Sequence, residues 1–185
     1  MYGLVNQAVQ GLITKEFGED KWLKIKEKAG VDEELFVSLK SYDDSVTYDL
    51  VGAASEILKV DASDLLEAFG EYWVLYTAQE GYGEMLDMAG STFVEFLGNL
   101  NHLHKRVGDL MPDLAPPSFE TELINEQELR LRYTSKRDGL TPMVIGLIKG
   151  LGKRFDLKEV HIVQEETKED GEYATTPFHV TWKNN

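Results

Sequence analysis

Apolar residues recur at helical spacing through the first 110 or so residues of the chain. This periodicity predicts helices over residues 3–17, 21–29 and 45–58, from Asp61 to the glycines at 81 and 83, and from Ser91 to about Met111. Gly30 is typical of a C-terminal helix cap, and Asp61 or Ser63 is a suitable N-terminal cap for the fourth helix. Ser91 is the predicted cap of the fifth helix.

The pattern then changes to alternation of apolar and polar residues. Pro112, Pro116 and Pro117 end the helical spacing. The remainder of the chain predicts a hairpin of strands 119–124 and 128–134, a helix over 141–155, and two closing strands at 158–165 and 176–183 joined by a polar loop. Helices followed by strands with one inserted helix predict an α+β fold with a mainly antiparallel sheet.

Composition and charge limit the classes of function. The chain has 185 residues, 42% hydrophobic and 28% charged, as expected for one globular domain. Its formal net charge of −14 argues against nucleic-acid partners and anionic membranes. The absence of cysteine excludes disulfides, iron–sulfur clusters and thiolate ligation of haem. We expect no signal peptide, no membrane span and a cytoplasmic location.

Two of the four histidines lie in one predicted helix, on different faces. His104 lies beside the apolar stripe that includes Leu100 and Val107, whereas His102 lies on the polar face. An inward imidazole is a candidate axial ligand of haem iron. The helix alone favours the alternative, a core histidine bonded to a backbone carbonyl.

A second group of polar side chains lies at the end of an apolar strand. Alternation places Leu129, Leu131 and Tyr133 on one face, and Ser135 and Arg137 join them if the backbone stays extended. A phenol, a hydroxyl and a guanidinium together suit a carboxylate, which arginine binds with two parallel hydrogen bonds. The alternative is a solvated strand end with Arg137 facing water.

Prolines and glycines add two further features. Pro116 and Pro117 form either a simple connector or a rigid apolar wall against a flat ligand. Gly146, Gly150 and Gly152 interrupt a predicted helix, where glycine is unfavourable. They indicate a close approach of another backbone or a bulky group, or close helix–sheet packing.

Taken in order, these segments resemble one known family. The segments MYGLVNQA, NHLHKRVG, PPSFE, RYTSKRDGL and GLIKGLGKRF together resemble the H-NOX (haem nitric oxide/oxygen binding) family, over essentially the whole chain. That family includes the haem domain of soluble guanylate cyclase and stand-alone bacterial sensors. The resemblance implies a single domain over 1–185 that binds haem b. A helical part, about 1–62, would pack on a haem-cradling part, about 63–185, with the haem between them.

The resemblance also implies roles for individual residues. His104 matches the iron ligand, and Tyr133, Ser135 and Arg137 match the residues that bind the haem propionates. Pro117 matches the proline that presses on the porphyrin. Four further residues match the pocket on the far side of the haem: Val5, Trp73, Met143 and Leu147.

The same resemblance favours nitric oxide over oxygen as the ligand. Oxygen-binding members carry a tyrosine in the helix after the Tyr-x-Ser-x-Arg motif, where this chain has Leu140-Thr-Pro-Met-Val144. We therefore expect an apolar pocket that binds nitric oxide and carbon monoxide, both of which need a hydrogen-bond donor less than oxygen does.

The sequence supports three hypotheses for function. The first is a non-enzymatic nitric oxide sensor that releases His104 from iron and signals to a separate histidine kinase or cyclic-di-GMP enzyme. The second is an oxygen or redox sensor in which Tyr2, Trp73 or Tyr76 supplies the donor. The third is a haem-free module of the same fold that binds an apolar ligand or a partner. An enzyme is the least favoured interpretation, since no nucleophile–base pair or phosphate loop stands out.

Overall fold

Helices form the first half of the molecule. The computed structural model describes the backbone of residues 1–185 and every side chain except those of residues 78 and 79. The α-helices before the sheet are α1 (Gly3–Phe17), α2 (Glu19–Lys28), α3 (Asp44–Leu58), α4 (Ala62–Thr77), α5 (Gly83–Asp87), α6 (Phe93–Gly98) and α7 (Leu100–Leu110). A short segment, Ala78–Tyr82, joins α4 to α5 with a kink at Glu80 and Gly81, whose backbone is not helical. In the part of the chain described, no helix has the length and apolar character needed to cross a membrane.

An antiparallel sheet and one long helix form the second half. The strands are β1 (Ser118–Asn125), β2 (Glu128–Ser135), β3 (Lys158–Gln164), β4 (Lys168–Asp170) and β5 (Tyr173–Lys183), and α8 (Thr141–Arg154) lies between β2 and β3. The strand order is β1-β2-β5-β3, with β4 also paired to β5. The predicted α+β class and antiparallel sheet are confirmed. The segment predicted as a polar loop forms β4, because it folds back on β5 through a turn at Gly171.

The structure divides one of the predicted helices into two. The structure breaks the 91–111 helix at Asn99, whose backbone is not helical, so that α7 begins as a separate helix at Leu100. The predicted cap is also displaced by one residue. The Thr92 hydroxyl accepts a hydrogen bond from the Glu95 amide and caps α6, whereas Ser91 donates its hydroxyl to the Glu95 carboxylate.

Two apolar cores lie on either side of α4. The first joins α1, α2 and α3 to one face of α4 through Leu65 and Phe69. The second lies between the sheet, α6 and α8, and it includes Val74 from the other end of α4. Helix α4 therefore belongs to both cores, and it fixes the distance between the two halves of the molecule.

Glycines allow α4 and α8 to touch at the backbone. A Cβ atom on Gly146 would lie 1.8 Å from the Glu67 carbonyl oxygen, and one on Gly70 would lie 2.0 Å from the Met143 carbonyl oxygen. Both distances are far shorter than van der Waals contact. The close backbone approach expected at Gly146 is thus present, whereas Gly152 faces the Val160 side chain of the sheet.

A methyl group at this contact should destabilise the fold. We expect Gly146→Ala to lower the free energy of unfolding by roughly 1–3 kcal/mol, because the new methyl must displace backbone. Gly52→Ala is the matched control: Gly52 also lies inside a helix, but nothing lies within 4 Å of an added Cβ. That change should stabilise the protein by about 0.5–1 kcal/mol. Urea unfolding followed by circular dichroism measures both, and equal effects would contradict the backbone contact.

Candidate functional site

A cavity of about 630 Å³ lies between the helical half and the sheet half. Its volume is within the range of pockets that hold small molecules and cofactors, roughly 300–1,000 Å³. Its walls come from α1, α3, α4, α5, α7, α8, β1 and β2, from the segment before α3 and from the chain that joins α7 to β1. All nine residues predicted from the sequence line it: Val5, Trp73, His104, Pro117, Tyr133, Ser135, Arg137, Met143 and Leu147.

His104 lies in the cavity wall formed by α7. Its side chain is partly buried, whereas His102 on the same helix is exposed, as the helical spacing predicts. The ring centroid of His104 is 5.9 Å from that of Phe119. Its Nδ1 atom is buried without a hydrogen-bond partner among the described residues. The backbone of Pro117 is the candidate carbonyl for the alternative, since it acts on the pKa of the ring, but it makes no hydrogen bond of normal geometry to Nδ1.

The electrostatic environment favours a neutral imidazole at His104. Burial lowers its pKa below the ordinary value, and the backbone of Pro117 acts in the opposite direction more weakly. Burial therefore favours the uncharged form of the ring. A neutral imidazole is the form that binds a metal ion.

Strand β2 carries the predicted phenol and hydroxyl into the cavity. Tyr133 and Ser135 are both buried, and Thr134 between them points to the other face and meets Thr175 of β5. Burial raises the pKa of Tyr133, although the Ser135 hydroxyl and the Arg137 charge act in the opposite direction. The phenol thus stays protonated and can donate a hydrogen bond.

Arg137 lies just beyond the end of β2 and turns into the cavity. The Ser135 hydroxyl accepts a hydrogen bond from the Arg137 backbone amide at 3.0 Å, which bends the chain there. The guanidinium is mostly buried, not solvated as the alternative supposed, and its Nη1 donates to the Ala115 carbonyl oxygen at 2.6 Å.

The sequence did not indicate the carboxylate that Arg137 meets. Its Nε donates to Asp44 Oδ2 at 2.6 Å and its Nη2 to Asp44 Oδ1 at 3.4 Å. Burial raises the pKa of Asp44, but hydrogen bonds from Arg137 and the Met1 amino group outweigh this and lower it. The sequence gives no sign of this role for Asp44 because Asp43, the adjacent residue, caps α3. The two aspartates together therefore resemble an ordinary helix start.

Apolar side chains form much of the remaining wall. Met143, Val144 and Leu147 of α8 line one wall, with Val5 from α1 and Trp73 from α4 beside them. Thr77 also lines the cavity, but its hydroxyl donates to the Trp73 carbonyl oxygen at 2.7 Å. Of the donors considered for oxygen, Tyr2 and Trp73 line the cavity, whereas Tyr76 stacks on Tyr72 outside it.

The donor set fits a haem. A flat apolar group with two carboxylates needs an apolar slot, a ligand for its iron and cationic or hydroxyl donors at its edge. The cavity offers the unpaired imidazole of His104 and the guanidinium of Arg137. The Asp44 carboxylate on that guanidinium demonstrates that a carboxylate is accepted there.

Comparison with known proteins assigns the family. Residues 2–164 match the family model described as Haem-NO-binding. A soluble guanylate cyclase of Caenorhabditis elegans, gcy-32, is 30% identical over 172 residues, which cover 91% of this chain and 25% of that protein. The chain therefore spans about a quarter of the length of the curated relatives it matches.

Solved structures share the fold. An H-NOX protein from S. oneidensis in the Fe(II)NO ligation state superposes with a TM-score of 0.86 and 22% identity, covering 100% of both chains. An oxygen-binding H-NOX domain related to soluble guanylate cyclases, in its oxygen complex, gives a TM-score of 0.85 and 18% identity, covering 100% of this chain and 96% of that one. With the family model matched over most of its length, this chain belongs to the Haem-NO-binding (H-NOX) family of haem-binding gas-sensor domains related to soluble guanylate cyclase.

Proposed function

We propose that this chain is a non-enzymatic gas sensor that holds haem b in the cavity, with His104 as the iron ligand. The observation that carries this proposal is the partly buried His104 imidazole in the cavity wall, whose Nδ1 atom has no hydrogen-bond partner among the described residues. Tyr133, Ser135 and Arg137 would hold the propionates at the cavity edge. Pro117, Val5, Trp73, Met143 and Leu147 would contact the porphyrin or the bound gas.

Nitric oxide and carbon monoxide are the gases that this pocket suits. When bound, ferrous haem supplies the iron that takes up a diatomic gas. An oxygen ligand would need a hydrogen-bond donor from the protein in a pocket of low dielectric constant. The α8 wall offers only Met143, Val144 and Leu147, and the hydroxyl proton of Thr77 is already used.

Release of His104 from the iron is the proposed signal. Helix α7 has one buried residue, Leu100, and its other apolar side chains are at most partly buried, so a change at its ligating histidine would shift the helix at lower packing cost than a shift of α8. The receiver would be a separate protein, a histidine kinase or a cyclic-di-GMP enzyme.

An oxygen sensor is the second candidate function. Two donors considered for that role, the Trp73 indole and the Tyr2 phenol, do line the cavity. Tyr2 accepts a hydrogen bond from the Asp113 amide at 2.9 Å, and its own proton can point elsewhere. The spectrum of the reduced protein in air distinguishes the two candidates.

Replacement of His104 tests the iron ligand. His104→Gly should abolish haem binding, or leave it dependent on added imidazole, because the protein then offers iron no ring nitrogen at the cavity wall. His102→Gly, the control, should retain the wild-type Soret band because His102 is exposed. The absorption spectra of both purified proteins measure this. Haem loss in the His102 variant alone would identify His102, and not His104, as the ligand.

Replacement of Arg137 tests the carboxylate clamp. Arg137→Ala should weaken haem retention by roughly 1.5–3 kcal/mol, because a charge-assisted bidentate partner is lost. Lys136→Ala should change it little, since Lys136 is exposed and pairs with Glu172 at 2.9 Å. Haem transfer to an excess of an apo-globin acceptor gives the dissociation rates.

A third variant separates the clamp from the salt bridge. Asp44→Asn weakens the bond to Arg137 but leaves the guanidinium in place. We expect it to retain haem better than Arg137→Ala does. Equal haem loss in the Arg137 and Lys136 variants would argue against the clamp.

Exposure of the reduced protein to air tests the gas preference. We expect an unchanged spectrum in air and a changed one with nitric oxide, because the α8 wall provides no donor for oxygen. Trp73→Phe removes the remaining indole donor and should behave in the same way. A stable oxygen complex in the wild type that disappears in Trp73→Phe would support the oxygen sensor instead.

A further inference from the structure

The side chain of Asn101 makes two hydrogen bonds to the backbone of one residue. Its Nδ2 donates to the Phe119 carbonyl oxygen at 2.8 Å, and its Oδ1 accepts from the Phe119 amide at 2.9 Å. Asn101 belongs to α7 and Phe119 to β1. The carboxamide thus joins the helix to the strand through a donor and an acceptor at once.

The position of β1 explains why an amide is suited to this contact. Strand β1 is at the edge of the sheet, with β2 as its neighbour on one side. Because the Phe119 amide donates to Asn101, this residue turns its hydrogen-bonding groups away from β2. On its outer side β1 has no neighbouring strand among the described residues, and the Asn101 side chain bonds the backbone groups that such a strand would bond. A planar amide suits this role because it offers one N–H donor and one C=O acceptor side by side.

Both ends of this contact adjoin the proposed haem site. Asn101 lies one helical turn before His104, and Phe119 lies two residues after Pro117. The Phe119 ring is 5.9 Å from His104 and 5.5 Å from Tyr133 between centroids. The bonded pair therefore links the ligating helix to the strand beside the propionate clamp.

Apolar packing and one side-chain link hold α7 against the sheet. Leu100 is buried in the sheet core, and Leu103 and Val107 pack against apolar cores as partly buried residues. Within the described part of the chain, Asn101 is the only residue of α7 whose side chain hydrogen-bonds to a strand. The break at Asn99 separates α7 from the better buried α6. The two hydrogen bonds of Asn101 therefore add the directional contact that apolar packing lacks.

We propose that Asn101 is a positioning residue for the iron ligand: its bonds to Phe119 fix α7 on β1 and so set where the His104 imidazole meets the iron. This inference rests on the proposed function, because it takes His104 as the ligand. Asn101 itself does not line the cavity.

Hydrogen exchange on the haem-free protein tests the contact itself. Asn101→Ala removes both bonds and should speed exchange of the Phe119 amide on the order of tenfold. His102→Ala, an exposed residue of the same helix, should leave that rate unchanged. An unchanged Phe119 rate in Asn101→Ala would overturn the proposal.

Resonance Raman spectroscopy of the haem-loaded, reduced protein tests positioning. The iron–imidazole stretching band should shift or broaden in Asn101→Ala and keep its wild-type frequency in His102→Ala. Asn101→Asp is a second variant of nearly the same size that still accepts from the Phe119 amide but cannot donate to the carbonyl oxygen. It should shift the band in the same direction with less effect on amide exchange.

The outcomes separate this inference from the proposed function. Wild-type bands in both Asn101 variants would overturn the positioning role, even with faster amide exchange. A wild-type protein that binds haem without any iron–imidazole band would overturn the proposed ligand itself, whatever the Asn101 variants do.

Discussion

The backbone contact between α4 and α8 is the constraint on which the cavity depends. Gly70 and Gly146 let the two helices approach until carbonyl oxygens occupy the space that Cβ atoms would take. The atoms that Gly70 meets belong to Met143 and Leu147, two residues of the cavity wall. Because side chains are absent at the contact, the neighbouring apolar side chains are free to face the cavity. A cavity of this size persists only where such rigid walls keep it from collapsing.

Charge at the cavity edge joins the two halves of the chain. Arg137 lies after β2, and its partner Asp44 begins α3, so one ion pair spans the helical and the sheet halves. The pair is partly exposed, and its contribution to the free energy of unfolding is therefore modest. Its effect is on geometry: the guanidinium is held at the cavity edge, where a carboxylate ligand would meet it.

Much of this arrangement could be predicted from periodicity alone. Helical spacing separates the inward His104 from the exposed His102, and strand alternation places Tyr133 and Ser135 on the buried face. Those signals are local, since each depends on a few neighbouring residues. The Asp44–Arg137 pair joins residues 93 positions apart, and no local pattern indicates it. The sequence pattern also did not predict the helix break at Asn99, because the stripe of apolar residues continues across it.

The walls of the cavity differ in how firmly each is held, and this difference fits a sensor better than a storage site. Helices α4 and α8 are locked by backbone contact, and β2 lies between two other strands. The wall that carries His104 is a short helix with one buried residue and an amide link to an edge strand. A force applied at His104 would therefore move α7 before it moves α4, α8 or β2. A gas-induced change at the iron would thus act on an element that the fold holds less firmly than these three walls.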